Sequence, residues 1–244
     1  MIHNSGYYLS VKILLALFFY SISSFAEVNL ETHELALEYG LAYHTLRGDQ
    51  KNNNSEGRIT SDQMPYWIGS YAYRFSDNFA LKFFGGIQTV KFNEPKYGTL
   101  KAEDQVFNQF GMELMTKTSV YAKWGLFIMQ QDHPLYYAKE TYVFQVLKRT
   151  FYQGGLHYSL GQRRRIGLIW GTGLKLYTIF PRSGGNISTE SGAGAEGYAR
   201  LGWVGPFGTT YQIKGFYLGT TAPNADVNFS HELLGYSAQI TYSF

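Results

Sequence analysis

The chain of 244 residues has no cysteine, which excludes disulfides, cysteine nucleophiles and thiolate metal sites, and also a lipid anchor on an N-terminal cysteine. Proline is scarce, with 6 residues, and charged residues make up only 16%. That charge content is low for a protein surface facing water, and the 18% aromatic content is too high for a disordered chain. The formal charge of +3 gives no clustered basic stripe of the kind nucleic acid requires. The one dense basic run, Arg163-Arg164-Arg165, reads as a turn. No apolar segment is long enough for a membrane helix, since even the longest run, Ile13–Phe19, falls well short of about 20 residues.

That run is preceded by Lys12 and followed by Ser24 and Ala26 in a small-x-small arrangement, so residues 1–26 are expected to be a cleaved signal peptide and residues 27–244 the folded barrel. What the rest of the chain has in abundance is aromatic residues and glycine, including 21 tyrosines and 27 glycines, with a mean hydropathy slightly below zero. Strands whose two faces meet different solvents combine these properties.

Period-two alternation begins at once. Leu35, Leu37, Tyr39, Leu41 and Tyr43 share one face, while Glu34, Ala36, Glu38, Gly40, Ala42 and His44 share the other. The same pattern predicts further strands at about 63–75, 79–90, 106–116, 120–130, 148–160, 165–178, 194–204, 209–219 and 233–244. The connections alternate between short and long. Residues 76–78, 117–119, 161–164 and 205–208 are turn-like; residues 47–62, 93–104, 131–147, 179–193 and 220–232 read as long loops. The expected fold class is therefore all-β: a single closed antiparallel transmembrane β-barrel of ten strands in an up-and-down meander. Both termini are expected on the periplasmic side of a bacterial outer membrane.

Energetics favour hydrocarbon outside. A Lys or Arg facing lipid at the midplane costs roughly 2–4 kcal/mol, and no charge falls in the middle of an apolar face. Trp67, Trp124, Trp170 and Trp203 lie on that face, and such rings favour bilayer interfaces. The other face carries Glu34, Glu38, Glu113 and Glu196 against Arg74, Lys82, Lys123, Arg149, Arg165, Lys175, Arg200 and Lys214. These residues are expected to form a lumen charge network that seals the interior, since charges removed from water need partners. The alternative is a narrow, weakly anion-selective channel lined by the excess cations.

The last strand ends Tyr236-Ser237-Ala238-Gln239-Ile240-Thr241-Tyr242-Ser243-Phe244. It resembles the C-terminal assembly signal of bacterial outer-membrane proteins, carried here by Tyr236, Ile240, Tyr242 and Phe244. The resemblance is to the broad class of small outer-membrane barrels and extends by pattern over residues 27–244. It implies three partners: the barrel assembly machinery, outer-membrane lipid and lipopolysaccharide.

A role in structure and surface presentation through extracellular loops is the expected function, with an unidentified extracellular ligand as a further possible partner. Outer-membrane enzymes give the other alternative. Ten-stranded barrels include the omptin proteases, which act through acidic residues and a histidine above the membrane; Asp132-His133, in the third long loop, is the candidate pair. Lipid A deacylase barrels use a His and Ser pair, for which His157 and Ser159 are the candidates, although both are expected to face the lumen. His231-Glu232 is a fragment of a metal motif at most, and His33 and His44 have no partner visible in the sequence. No metal or cofactor is expected.

Overall fold

The computed structural model describes residues 32–50, 56–93, 99–101, 105–119, 121–140, 143–162, 166–181, 190–223 and 227–244. The signal peptide expected at 1–26 lies outside the described residues, as do Asn52–Ser55, Asp104, Arg163–Arg165, Gly184, Gly185 and Asp226.

Twelve strands make the wall: β1 (His33–Gln50), β2 (Glu56–Thr60), β3 (Met64–Arg74), β4 (Phe79–Val90), β5 (Thr99–Lys101), β6 (Gln105–Lys117), β7 (Ala122–Glu140), β8 (Val143–Gly161), β9 (Gly167–Ile179), β10 (Gly192–Val204), β11 (Thr209–Pro223) and β12 (Val227–Ser243). β2 and β3 are two halves of one wall strand, both paired with β1 and interrupted at Ser61, whose N–H still donates to His44 O (2.9 Å). β5 adds in parallel to the outer end of β8, beyond the point where β9 leaves it. The remaining order is a meander of ten antiparallel strands, closed by β12 pairing with β1 from Glu34–Ser243 to Gln50–Val227. At the seam His33 and Phe244 exchange both backbone hydrogen bonds (2.8 and 2.9 Å), and their rings stack with centroids 5.4 Å apart.

The outer face of the barrel carries a belt of exposed apolar side chains, among them Leu37, Tyr39, Phe83, Phe110, Leu126, Ile128, Leu156, Trp170, Leu176, Leu201, Ile213 and Ile240. An apolar surface this continuous is far larger than water tolerates on a monomer, and it suits hydrocarbon. On β1 the belt runs from Leu35 to Tyr43, matching the roughly 9–11 residues a tilted strand needs to cross a bilayer.

Three segments read as long loops are instead largely strand. β1 continues to Gln50, β7 continues to Glu140 with β8 starting at Val143, and β11 and β12 meet near Pro223 and Val227. The reason is a change of solvent. Above the belt the outward positions become polar (Thr45 and Arg47 on β1, Thr150 and Lys148 on β8, Glu232 and Ser230 on β12). The inward positions become apolar: Leu46, Ile59, Val90, Phe107, Leu135, Phe151, Ile179, Ala222 and Phe229 pack together as a buried core. The alternation persists, but its polarity inverts where lipid gives way to water.

Candidate functional site

Within the belt the inward faces enclose a cavity of about 1220 Å³ that runs from the short turns (Asp77, Asn78, Phe207) to His44 and His231. Its walls are built by cross-strand pairs of glycine with an aromatic residue. Tyr66 lies across Gly40, Phe84 across Gly111, Tyr198 across Gly173, Tyr177 across Gly194 and Phe216 across Gly235; a Cβ on any of these glycines would run into the ring. A ten-stranded barrel has limited interior space, and these glycines make room for rings in it.

All the charged positions expected in the lumen line this cavity except Arg149 and Arg165, the latter outside the described residues. Glu38, 7% exposed, receives Lys214 Nζ at 2.6 Å, the Tyr66 hydroxyl at 2.9 Å and the Ser237 hydroxyl at 2.8 Å. Lys175 Nζ lies 3.0 Å from Glu196 Oε2. Glu113 has no lysine within bonding distance; its Oε1 meets His157 Nδ1 at 2.5 Å, and His157 Nε2 meets the Tyr198 hydroxyl at 2.9 Å. One tautomer satisfies both contacts: Nδ1–H donates to Glu113 and Nε2 accepts from Tyr198. Arg74, Lys82 and Arg200 form no ion pair among the described residues. Lys123 lines the inner end of the cavity in register with Ser159, and Glu34 lies beside the β1–β12 seam. Arg149 sits above the belt, in register with His133.

The enzyme candidates come apart in space. Both ring nitrogens of His157 are engaged by Glu113 and Tyr198, and Ser159 forms no hydrogen bond with it. Asp132 and His133 lie within β7, not in a loop, so consecutive side chains take opposite faces. Asp132 turns outward and accepts from the Thr150 hydroxyl (2.7 Å), the Asn108 backbone N–H (3.0 Å) and the Asn108 amide (3.3 Å), with Lys148 Nζ 3.7 Å away. Burial pushes its pKa up, but these donors outweigh burial and hold it below the usual carboxylate value. His133 turns inward and is 2% exposed.

That inward turn reveals a feature no motif announced. β7 approaches both β1 and β12, strands on the far side of the ring, to within 8 Å between Cα atoms. At the crossing point His44, His133 and His231 meet. His44 stacks on His231 with centroids 5.1 Å apart and planes 12° from parallel, and His44 Nδ1 lies 2.9 Å from His231 Nε2. The edge of His133 meets the face of His231 at 5.8 Å and 90°. Gln153 donates to His133 Nε2 at 2.5 Å, while His44 Nε2 and His231 Nδ1 lack a well-formed hydrogen bond among the described residues, Gln88 being the nearby polar group for His44. His44 and His231 lie just beyond the last outward apolar residues of β1 and β12, Tyr43 and Leu234, and His133 lies beyond Ile128, the last exposed large apolar residue described on β7. Burial holds His44 down to about 3 and His133 down to about 4; burial and the two neighbouring imidazoles hold His231 well below 6.5. The sequence carried one faint signal for this cluster: each histidine falls on the inward face next to an inward apolar residue, Leu46, Leu135 or Phe229.

No protein-family model and no curated protein matches the sequence. Solved structures do match. The outer membrane protease OmpT from Escherichia coli is 8% identical, with 90% of this chain and 99% of that chain covered and a TM-score of 0.54. The chain has the fold of the bacterial outer-membrane β-barrels. Other matches, with lower TM-scores, are an outer membrane channel from Pseudomonas putida F1 (12% identity, 89% and 97% coverage, TM-score 0.46) and the β domain of the Bordetella autotransporter BrkA (14%, 88% and 100%, 0.43). At these identities the likeness concerns the fold alone. Two features shape the interior of this barrel: inverted amphipathicity above the belt, and a pinch where β7 crosses to β1 and β12.

Proposed function

We propose that this protein is an integral outer-membrane barrel that presents extended hairpins at the cell surface and whose lumen, at neutral pH, is closed toward the outside and open toward the periplasm. One observation carries the reading: β7 meets β1 and β12 across the lumen, with an apolar core packed around the crossing. Water and ions crossing such a plug would have to be desolvated against Leu46, Phe107, Phe151 and Ile179, all 6% exposed or less.

The short turns lie at the end where His33 pairs with Phe244, which supports a periplasmic position for that end. Outer-membrane lipid and lipopolysaccharide then surround the belt, and the assembly machinery reads the strand ending at Phe244. Tyr236, Ile240 and Tyr242 all point outward on that strand, where an incoming protein surface can reach them. Among the described residues β7 and β8 are the longest strands, and the hairpin they form above the belt is the natural contact for an external ligand.

The test is electrical. Refolded protein incorporated into planar bilayers at pH 7.5 is expected to give no conductance steps. Regular steps at that pH would overturn the closed reading.

A further inference from the structure

The lumen cavity and the histidine crossing share a boundary, because His44 and His231 line the upper end of the space that holds Arg74, Lys82 and Arg200. Protons arriving through the lumen therefore reach the imidazoles. In the neutral state one ring of the His44–His231 pair donates and the other accepts across 2.9 Å. When both rings are protonated, both facing nitrogens become donors, and the bond turns into a repulsion.

Little around the cluster offsets that charge. On β7, the charge of Asp132 favours the imidazolium of the adjacent His133, but less than burial opposes it, and the carboxylate is already held by Thr150, Asn108 and Lys148. On β12, Glu232 faces outward and pairs with Arg47 of β1 at 3.6 Å. On β8, Arg149 stands in register with His133 and carries the same sign as an imidazolium. On β1, the nearest lumen carboxylate, Glu38, is occupied by Lys214, Tyr66 and Ser237. The other neighbours are neutral: Gln88 of β4, Gln153 of β8, Thr220 and Tyr177 of β11 and β9, and the rings of Phe92 and Phe151.

We propose that His44, His133 and His231 form an acid-released latch between β7 and the β1–β12 seam, and that the barrel conducts small inorganic anions such as chloride once the latch opens. The proposal rests on the neutral-pH closure argued above. Geometry carries it: three buried imidazoles from strands on opposite sides of the ring meet at a contact that holds opposite walls together. Below them lies a cavity in which Arg74, Lys82 and Arg200 form no ion pair among the described residues, Lys82 standing across from Glu113 without touching it. Burial makes the closed form resist protonation until the pH falls well below 6.5. An opened latch exposes the same rings to water, where they bind protons below about 6.5. Acid therefore favours the open form, by up to about tenfold per pH unit for each proton taken up.

The experiment uses refolded full-length barrel in planar bilayers under a potassium chloride gradient. Expected are silence at pH 7.5, conductance steps at pH 5.0, and a reversal potential displaced toward that of chloride. The double variant His133→Gln/His231→Asn fills the same space but cannot charge, and it is expected to stay silent at both pH values. If it does not refold, judged by loss of the heat-modifiable band on gels, His44→Gln replaces it with the same expectation. Lys82→Gln/Arg200→Gln leaves the latch intact, so it should still open at pH 5.0 with the displacement toward chloride reduced. Silence of the unaltered protein at pH 5.0, or unchanged acid conductance in a folded histidine variant, would overturn the latch. Steps already present at pH 7.5 would instead overturn the neutral closure on which it rests.

Discussion

At the scale of single residues, Glu38 shows what holds the interior together. Its carboxylate is 7% exposed and takes three donors from β3, β11 and β12. Removing only the cation, Lys214→Ala, leaves a buried charge without its counter-ion and is expected to cost about 3–5 kcal/mol of stability. Replacing both partners, Glu38→Gln with Lys214→Met, removes the charge altogether and is expected to restore most of that loss. Urea unfolding in detergent micelles or lipid vesicles, followed by tryptophan fluorescence, measures both. Equal losses in the single and double variants would show that the ion pair does not hold the interior. The glycines allow a similar comparison. Gly173 faces the Tyr198 ring, whereas nothing lies within 4 Å of a Cβ at Gly197. Gly173→Ala must displace a ring hydrogen-bonded to His157, an overpacking expected to cost about 1–3 kcal/mol. Gly197→Ala should be neutral or slightly stabilising, because it reduces the freedom of the unfolded chain.

At the scale of elements, legibility follows solvent. β4 is readable from Phe79 to Val90 because nearly all of its length keeps one solvent on each face, lipid outside and lumen inside, and only Val90 at its end enters the apolar core. β1 and β7 were legible only in their lower parts, and β8 from Lys148 on. Beyond Tyr43 on β1, the outward residues are Thr45 and Arg47 and the inward one is Leu46, so the alternation changes sign without losing its period. A search for apolar-out strands stops at that inversion and takes the rest for loop. The inversion also predicts how one outward face of one strand responds to charge. Leu37→Lys places an ammonium in the belt and is expected to cost about 2–4 kcal/mol, whereas Thr45→Lys lies above it and is expected to cost about 0–1 kcal/mol. Folding into vesicles of the two variants measures the difference; equal costs would mean that the belt does not end near Tyr43.

At the scale of the whole molecule, the charged half of the site was legible and the closure was not, for a physical reason. Alternation assigns each residue to a face, which was enough to turn Glu38, Lys82, Glu113, Lys175, Glu196, Arg200 and Lys214 into the lumen. It cannot show which opposing residues touch once the ring closes. His44 and His231 lie 187 positions apart, and their contact depends on β7 leaning across the ring to meet the seam. A cavity bounded by that contact should be reachable from one side only. The chain's lack of cysteine makes the question testable with single substitutions. Lys82→Cys places a thiol in the cavity and Arg58→Cys places one on the exposed outer part of β2. At pH 7.5 a small, membrane-impermeant maleimide should label Arg58→Cys on intact cells. It should label Lys82→Cys only after the outer membrane has been permeabilised and the reagent can enter from the periplasmic side. The sidedness follows from the plug, because a reagent larger than water cannot pass Leu46, Phe107 and Phe151 without separating them. Labelling of Lys82→Cys on intact cells at neutral pH would mean that opposite walls do not stay in contact in the membrane.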